Sequence, residues 1–338
     1  MTVRILDPFR SALRGSRDVL SPLRKFDAPT NHKPLNPAFF QFRLSEAIRR
    51  GTGYLVARPG VTELQLARPE IFARFRPQMP LPTKAALRLR RCEPVRSQAD
   101  VSAAWELSGI FPADEATAHR FSVEYLRSLE IADDLVDIGH PEGIGALVRC
   151  VCPQVTVVDP LGLEPFWFVR PWTHALEGKT VLLVGAFADM FVEQYARRHL
   201  LWTDLSPLPD CKVVSLVTPM TQMHQTAGFT SVFEALDQAR QRMAGIDFDV
   251  ALVAAGGIGM PLAAEAKRLG KVGVYVGGVL QILFGLKGER WEQEVMAPYG
   301  QLFNPSWTRP SPPRASSGID LDDNAEIEKF NENRRRYW

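Results

Sequence analysis

From Gly178 onward, apolar runs of strand length alternate with segments of helical period, and that rhythm leaves few architectures open. Residues 180–186 (TVLLVGA) form a continuous apolar run, as expected of a strand covered on both faces. A helix is expected over 189–199, then a strand over 212–217. Val232, Leu236, Ala239 and Met243 recur at helical spacing. Residues 250–255 (VALVAA), 260–269 and 272–276 then read as strand, helix and strand. The pattern predicts an α/β fold, Rossmann-like, with a mostly parallel doubly wound sheet and helices on both faces.

The preceding part reads less regularly. Residues 52–57 (TGYLVA) suggest a short strand broken by Arg58-Pro59-Gly60, and 131–138 and 155–158 suggest two more, the first holding three acidic residues. Phe121, Tyr125, Leu126 and Leu129 mark an amphipathic helix over 114–130, with Asp114 able to cap its start. We divide the chain into a basic N-terminal helical arm (1–35), an N-terminal α/β part of the catalytic domain (36–160), a Rossmann-like nucleotide-binding part (161–300) and an extended C-terminal tail (301–338). The aromatic ending Tyr337-Trp338 suggests that the tail packs back on the body.

Charge and composition exclude several classes. Forty basic against 38 acidic residues give a net charge of +2, with no general pull toward nucleic acid. Residues 1–50 carry ten Lys/Arg against four Asp/Glu, and the arm places leucines among arginines, a pattern suited to peripheral contact with an anionic membrane. No apolar run reaches the roughly 20 residues of a spanning helix. The N-terminus lacks the apolar core of a signal peptide. Cys92, Cys150, Cys152 and Cys211 are too scattered for a disulfide framework or a zinc site, so free thiols in a cytoplasmic protein are expected.

Three segments could carry chemistry. Gly256, Gly257 and Gly259 lie between a strand and a helix, where backbone can approach a phosphate, with Pro261 suited to the first helical turn. The alternative is a tight turn that needs small residues for packing. Leu262 stands where a dinucleotide fingerprint needs its third glycine, and no carboxylate ends the next strand, so NAD is not expected. Gly277 and Gly278 lie at the end of that strand, followed by Gln281, which can hydrogen-bond a base or a sugar, and by Lys287 and Arg290, two cations suited to a diphosphate. Glu63, in Arg58-Pro59-Gly60-Val61-Thr62-Glu63, is a carboxylate on a turn that could serve as a base. The histidines form no metal-binding set.

In this order the three segments resemble the GT-D type of bacterial glycosyltransferase, over about residues 50–338. The stretch 248–291 (FDVALVAAGGIGMPLAAEAKRLGKVGVYVGGVLQILFGLKGERW) carries most of the likeness, joined by 108–133 and by the approach to the central strand, Pro171-Trp172 to Gly178-Lys179. The resemblance implies a nucleotide-sugar as donor and a glycan or lipid-linked acceptor in polysaccharide or glycoconjugate assembly, at the inner face of a membrane. The family's R-x-G-x-x-E segment falls on Arg58, Gly60 and Glu63, which makes Glu63 the expected catalytic residue. The family's D-x-E motif binds Mn²⁺ or Mg²⁺ and donor, but Val61 stands at its aspartate position, and this sets metal dependence in question. The alternatives are a non-catalytic glycan-assembly scaffold with a degenerate donor site, or a polysaccharide pyruvyl or phosphosugar transferase.

Overall fold

The computed structural model describes residues 34–75, 95–137, 151–202, 206–292 and 299–310, apart from the side chains of Phe75, Glu289 and Arg290. Most of the expected arm, the tail beyond 310 with Tyr337-Trp338, and Cys92 and Cys150 lie outside the described residues.

Seven strands form one sheet, and every pairing is parallel. They are β1 (Tyr54–Ala57), β2 (Asp134–Val136), β3 (Thr156–Val158), β4 (Thr180–Gly185), β5 (Lys212–Val217), β6 (Val250–Ala254) and β7 (Val272–Tyr275). Their order is β3-β2-β1-β7-β6-β4-β5, so the first strand pairs with the last in mid-sheet, Val56 opposite Val274. The two parts of the chain thus share one sheet.

The eleven described α-helices are α1 (Pro37–Arg50), α2 (Val61–Leu66), α3 (Arg68–Phe75), α4 (Gln98–Ser108), α5 (Glu115–Glu130), α6 (Ala188–Ala196), α7 (Arg198–Leu201), α8 (Val232–Ala244), α9 (Gly259–Arg268), α10 (Val279–Leu283) and α11 (Glu289–Glu292). Period-two alternation sorts each strand's side chains between two cores. Leu182 and Val184 join the core under α2, α5, α8 and α9. Val181 and Leu183 join the other, under α1, α6 and α10. Each fully buried leucine or phenylalanine contributes about 2–3 kcal/mol, and both cores contain many, Phe121 and Phe40 among them.

Local signals set the element ends. Asp114 accepts from Thr117 N at 2.7 Å and starts α5. Ser97 and Asp100 close a reciprocal capping box on α4. The helix expected over 189–199 divides at Arg197, where Gln194 turns inward to donate to Gly285 O at 3.0 Å. That break lets Leu201 join a third cluster with Ile282, Trp291 and Trp307. β2 is shorter than the 131–138 expected, because Ile131 still caps α5. Two of the acidic residues there are anchored. Asp133 accepts from Leu55 N and Lys267, and Asp134 from Tyr54 and Arg43.

Candidate functional site

In an open parallel sheet a crevice forms beyond the strands' carboxyl ends wherever neighbouring strands send the chain to opposite faces. Two such places in this sheet bear on the site. After β4 the chain enters α6 on one face, and after neighbouring β6 it enters α9 on the other. After β1 it enters α2 and after neighbouring β7 it enters α10, again on opposite faces. A cavity of about 290 Å³ spans both, lined by Arg58, Gly60 and Glu63 after β1, Gly277, Gly278 and Gln281 after β7, Gly256 after β6 and Phe187 after β4. Met220 and Gln222 after β5, with Leu107 and Ser108 from the end of α4, complete the wall.

Glu63 does not stand on a surface turn as its neighbours in the sequence suggest. It lies in the first turn of α2 and is 7% exposed. Its carboxylate folds back over Gly60, where a Cβ would collide with it. Burial raises its pKa, partly opposed by its own backbone N–H, by the Ser108 hydroxyl and by Arg58. The Tyr125 hydroxyl accepts the Gly60 N–H at 3.0 Å, and the Tyr275 hydroxyl donates to Gly256 O at 2.8 Å. Burial holds both phenols neutral, with the nearby Glu63 adding to the effect.

Arg58 supplies the positive charge. Its guanidinium rests on Gly277, whose left-handed φ of 65° and missing side chain make the approach possible. A Cβ there would lie 2.8 Å from Nη1. Arg58 is close enough to Glu63 and Glu164 to lower the pKa of each against the larger effect of burial. Yet no hydrogen bond or ion pair within 4.0 Å joins it to another described residue. Gln281 is 2% exposed; its Oε1 accepts from Trp291 Nε1 at 2.9 Å, while its Nε2 is without a partner among the described residues.

The expected glycines divide by role. Gly256 faces the cavity and carries a positive φ of 53°. Gly257 packs under the Ser108 carbonyl and Ile110, and Gly259 under the Tyr275 ring. Pro261 is the third residue of α9 and is buried. Lys287 lies away from the cavity, its ammonium 5.9 Å from the Phe303 ring centre. The Arg290 side chain lies outside the described residues. Residue-by-residue reading passed over Ser108, Tyr125, Tyr275 and Trp291. Their signal was an unremarkable hydroxyl or ring, and only the fold brings them to Glu63 and Gln281.

The described residues make no divalent-ion site of their own. Among the described residues no three His, Cys, Asp or Glu side chains gather as a metal site. Glu63 is the one carboxylate among the cavity's lining residues, and Val61 offers no oxygen beside it.

Among curated proteins and among solved structures nothing matches the chain. Residues 171–283 match the family model described as a GT-D fold-like domain. That span holds β4 to β7 and reaches through α10, and so includes the cavity walls from Phe187 to Gln281. Arg58, Gly60 and Glu63 enter the same cavity from outside it. Over this third of its length the chain is similar to the GT-D-like family.

Proposed function

We propose that the protein transfers a sugar from a nucleotide-sugar donor to a glycan or lipid-linked acceptor. The observation that carries the reading is Arg58, a guanidinium without a hydrogen-bond or ion-pair partner among the described residues, in a cavity at the carboxyl edge of a parallel sheet and against a glycine that leaves room for it. A cation so placed suits a diphosphate.

In the reaction the acceptor oxygen attacks the anomeric carbon, and the bond from that carbon to the diphosphate oxygen breaks with its electrons leaving on the diphosphate. Arg58 stabilises that developing charge, and Gly256, Gly277 and Gly278 allow the donor close to the backbone. Glu63 takes the acceptor hydroxyl's proton. Its raised pKa makes the ionised form a stronger base, while Ser108, its own N–H and Arg58 keep that form accessible. Loss of a general base costs about 10²–10⁴ in rate, and Glu63→Gln should lose that much transfer. The basic residues of 1–35 would hold the enzyme at an anionic cytoplasmic membrane face near a lipid-linked acceptor. Among the described residues no helix is long and apolar enough to cross a membrane. Deletion of 1–33 should abolish co-sedimentation with anionic vesicles, and undiminished binding would remove the arm from the account.

One observation favours a second reading, a non-catalytic glycan-assembly scaffold that still binds the nucleotide-sugar in a degenerate donor site. Val61 leaves the cavity a single lining carboxylate. A thermal-shift screen against UDP-, GDP-, CMP- and dTDP-sugars, with and without Mn²⁺, separates the readings from a failure of both. Donor at about 100 times its dissociation constant adds roughly 2.7 kcal/mol of stability. We expect one nucleotide class to raise the melting temperature without Mn²⁺, and product to form with that donor. A shift without product favours the scaffold, and a flat panel overturns both.

A further inference from the structure

We propose that Trp291 is a positioning residue that makes Gln281 a fixed hydrogen-bond donor, and that Gln281 Nε2 and Arg58 together form a subsite for the phosphoryl oxygens of a diphosphate. An indole N–H can only donate, so the Gln281 oxygen must be the atom that meets Trp291 Nε1, at 2.9 Å in a buried contact. That contact fixes which way the amide points. Its two remaining N–H donors have no partner among the described residues, on a side chain 2% exposed that lines the cavity. Other buried polar atoms also lack partners, but Gln281 Nε2 is the one on a cavity-lining residue.

Trp291 is itself held in place. It is 3% exposed and stands edge-on to Tyr299, ring centres 5.1 Å apart, while Tyr299 donates to Glu164 at 2.7 Å. Arg58 reaches the same wall by resting on Gly277, four positions ahead of Gln281 and bonded to its turn through Leu280 N. Both groups are donors only, so the subsite selects an oxygen that accepts and carries charge, and offers nothing to an amine or a base N–H. The identity of that anion as the sugar donor's diphosphate rests on the function proposed above.

Calorimetric titration with UDP, GDP, CDP and dTDP, with their nucleosides and with inorganic pyrophosphate tests this on wild type, Gln281→Met, Trp291→Phe and the double variant. Gln281→Met should weaken pyrophosphate and the recognised nucleotide about tenfold and leave its nucleoside unchanged. Trp291→Phe should do the same, and the double variant should be no weaker than Gln281→Met alone. An equal cost of Trp291→Phe in both backgrounds, or an equal loss of nucleoside binding, makes Trp291 merely structural and overturns the proposal. Should Trp291→Phe fail to fold, Gln281→Glu decides. Its carboxylate still accepts from the indole but presents an oxygen to the anion, so pyrophosphate binding should be lost, and retained binding overturns the subsite. Pyrophosphate binding with these sensitivities but no nucleotide binding would leave the subsite standing and remove the nucleotide-sugar function. Nucleotide binding indifferent to both residues would do the reverse. Absence of any binding overturns both.

Discussion

The two edges of the sheet treat polar groups differently. At the amino edge Asp134 is fully buried, and both of its oxygens are taken, by Tyr54 at 2.5 Å and Arg43 at 2.7 Å. Asp133 closes on Lys267 at 2.6 Å, and Asp249 accepts from Thr180 N at 2.8 Å. At the carboxyl edge Arg58 and Gln281 Nε2 find no hydrogen-bond partner among the described residues, and Glu63 is buried against the ordinary preference of a carboxylate for water. A chain that can satisfy its buried carboxylates at one edge has the means to do so at the other. Groups left open there cost stability, a cost accepted at sites where a ligand supplies the missing partner.

Four substitutions probe the contrast, starting from the largest expected loss of stability. Asp134→Ala strands the Tyr54 hydroxyl and should cost about 2–3 kcal/mol in denaturant unfolding, with ligand binding unchanged once the protein is folded. A loss below about 0.5 kcal/mol would mean that the amino edge is no better closed than the other. At the carboxyl edge, Gly277→Ala forces an alanine into a left-handed backbone and against the Arg58 guanidinium. It should cost about 1–2 kcal/mol and weaken pyrophosphate binding as well, whereas lost stability with intact binding would detach Gly277 from the site.

The third probe is pH. Burial raises the folded-state pKa of Glu63 above its ordinary 4.5, so the native state holds that proton more tightly than the unfolded chain does. The contribution is therefore full below the ordinary value and is lost as pH rises through the raised one. Asp134 and Glu164 shift in the same direction but are common to both proteins compared. The melting temperature of wild type should therefore fall relative to Glu63→Gln as pH rises from about 4 to 7. A constant difference would show that Glu63 titrates as it does in water.

Much of the sheet was legible because buried parallel strands leave continuous apolar runs. Residues 180–186, 212–217, 250–255 and 272–276 each proved to be strands to within a residue or two. The short β2 was harder, since its acidic residues make sense only beside Tyr54, Arg43 and Lys267, which lie far off in sequence. The same limit applied to the site. The glycines announced themselves, but whether each faces a ligand or a neighbour depended on long-range contacts, such as Gly257 with Ser108. The burial of Glu63 in a helical turn was hidden behind Pro59-Gly60, which reads as a plain chain break. Trp291 follows a segment read for its cations Lys287 and Arg290, and its own role follows from a bond to Gln281 across ten residues.

The smallest expected change in stability is also the sharpest test. Arg58→Met keeps an unbranched apolar stem and removes the guanidinium with its charge and donors. Calorimetric melting of wild type and Arg58→Met, each with and without saturating pyrophosphate or the recognised nucleoside diphosphate, compares stability and binding in one experiment. If the carboxyl edge is open for a ligand, the unliganded variant melts within about 0.5 kcal/mol of wild type or above it, and the ligand-induced rise is lost. A variant that unfolds much more readily without ligand, or that keeps the full rise with it, would show that Arg58 serves the fold rather than a bound anion.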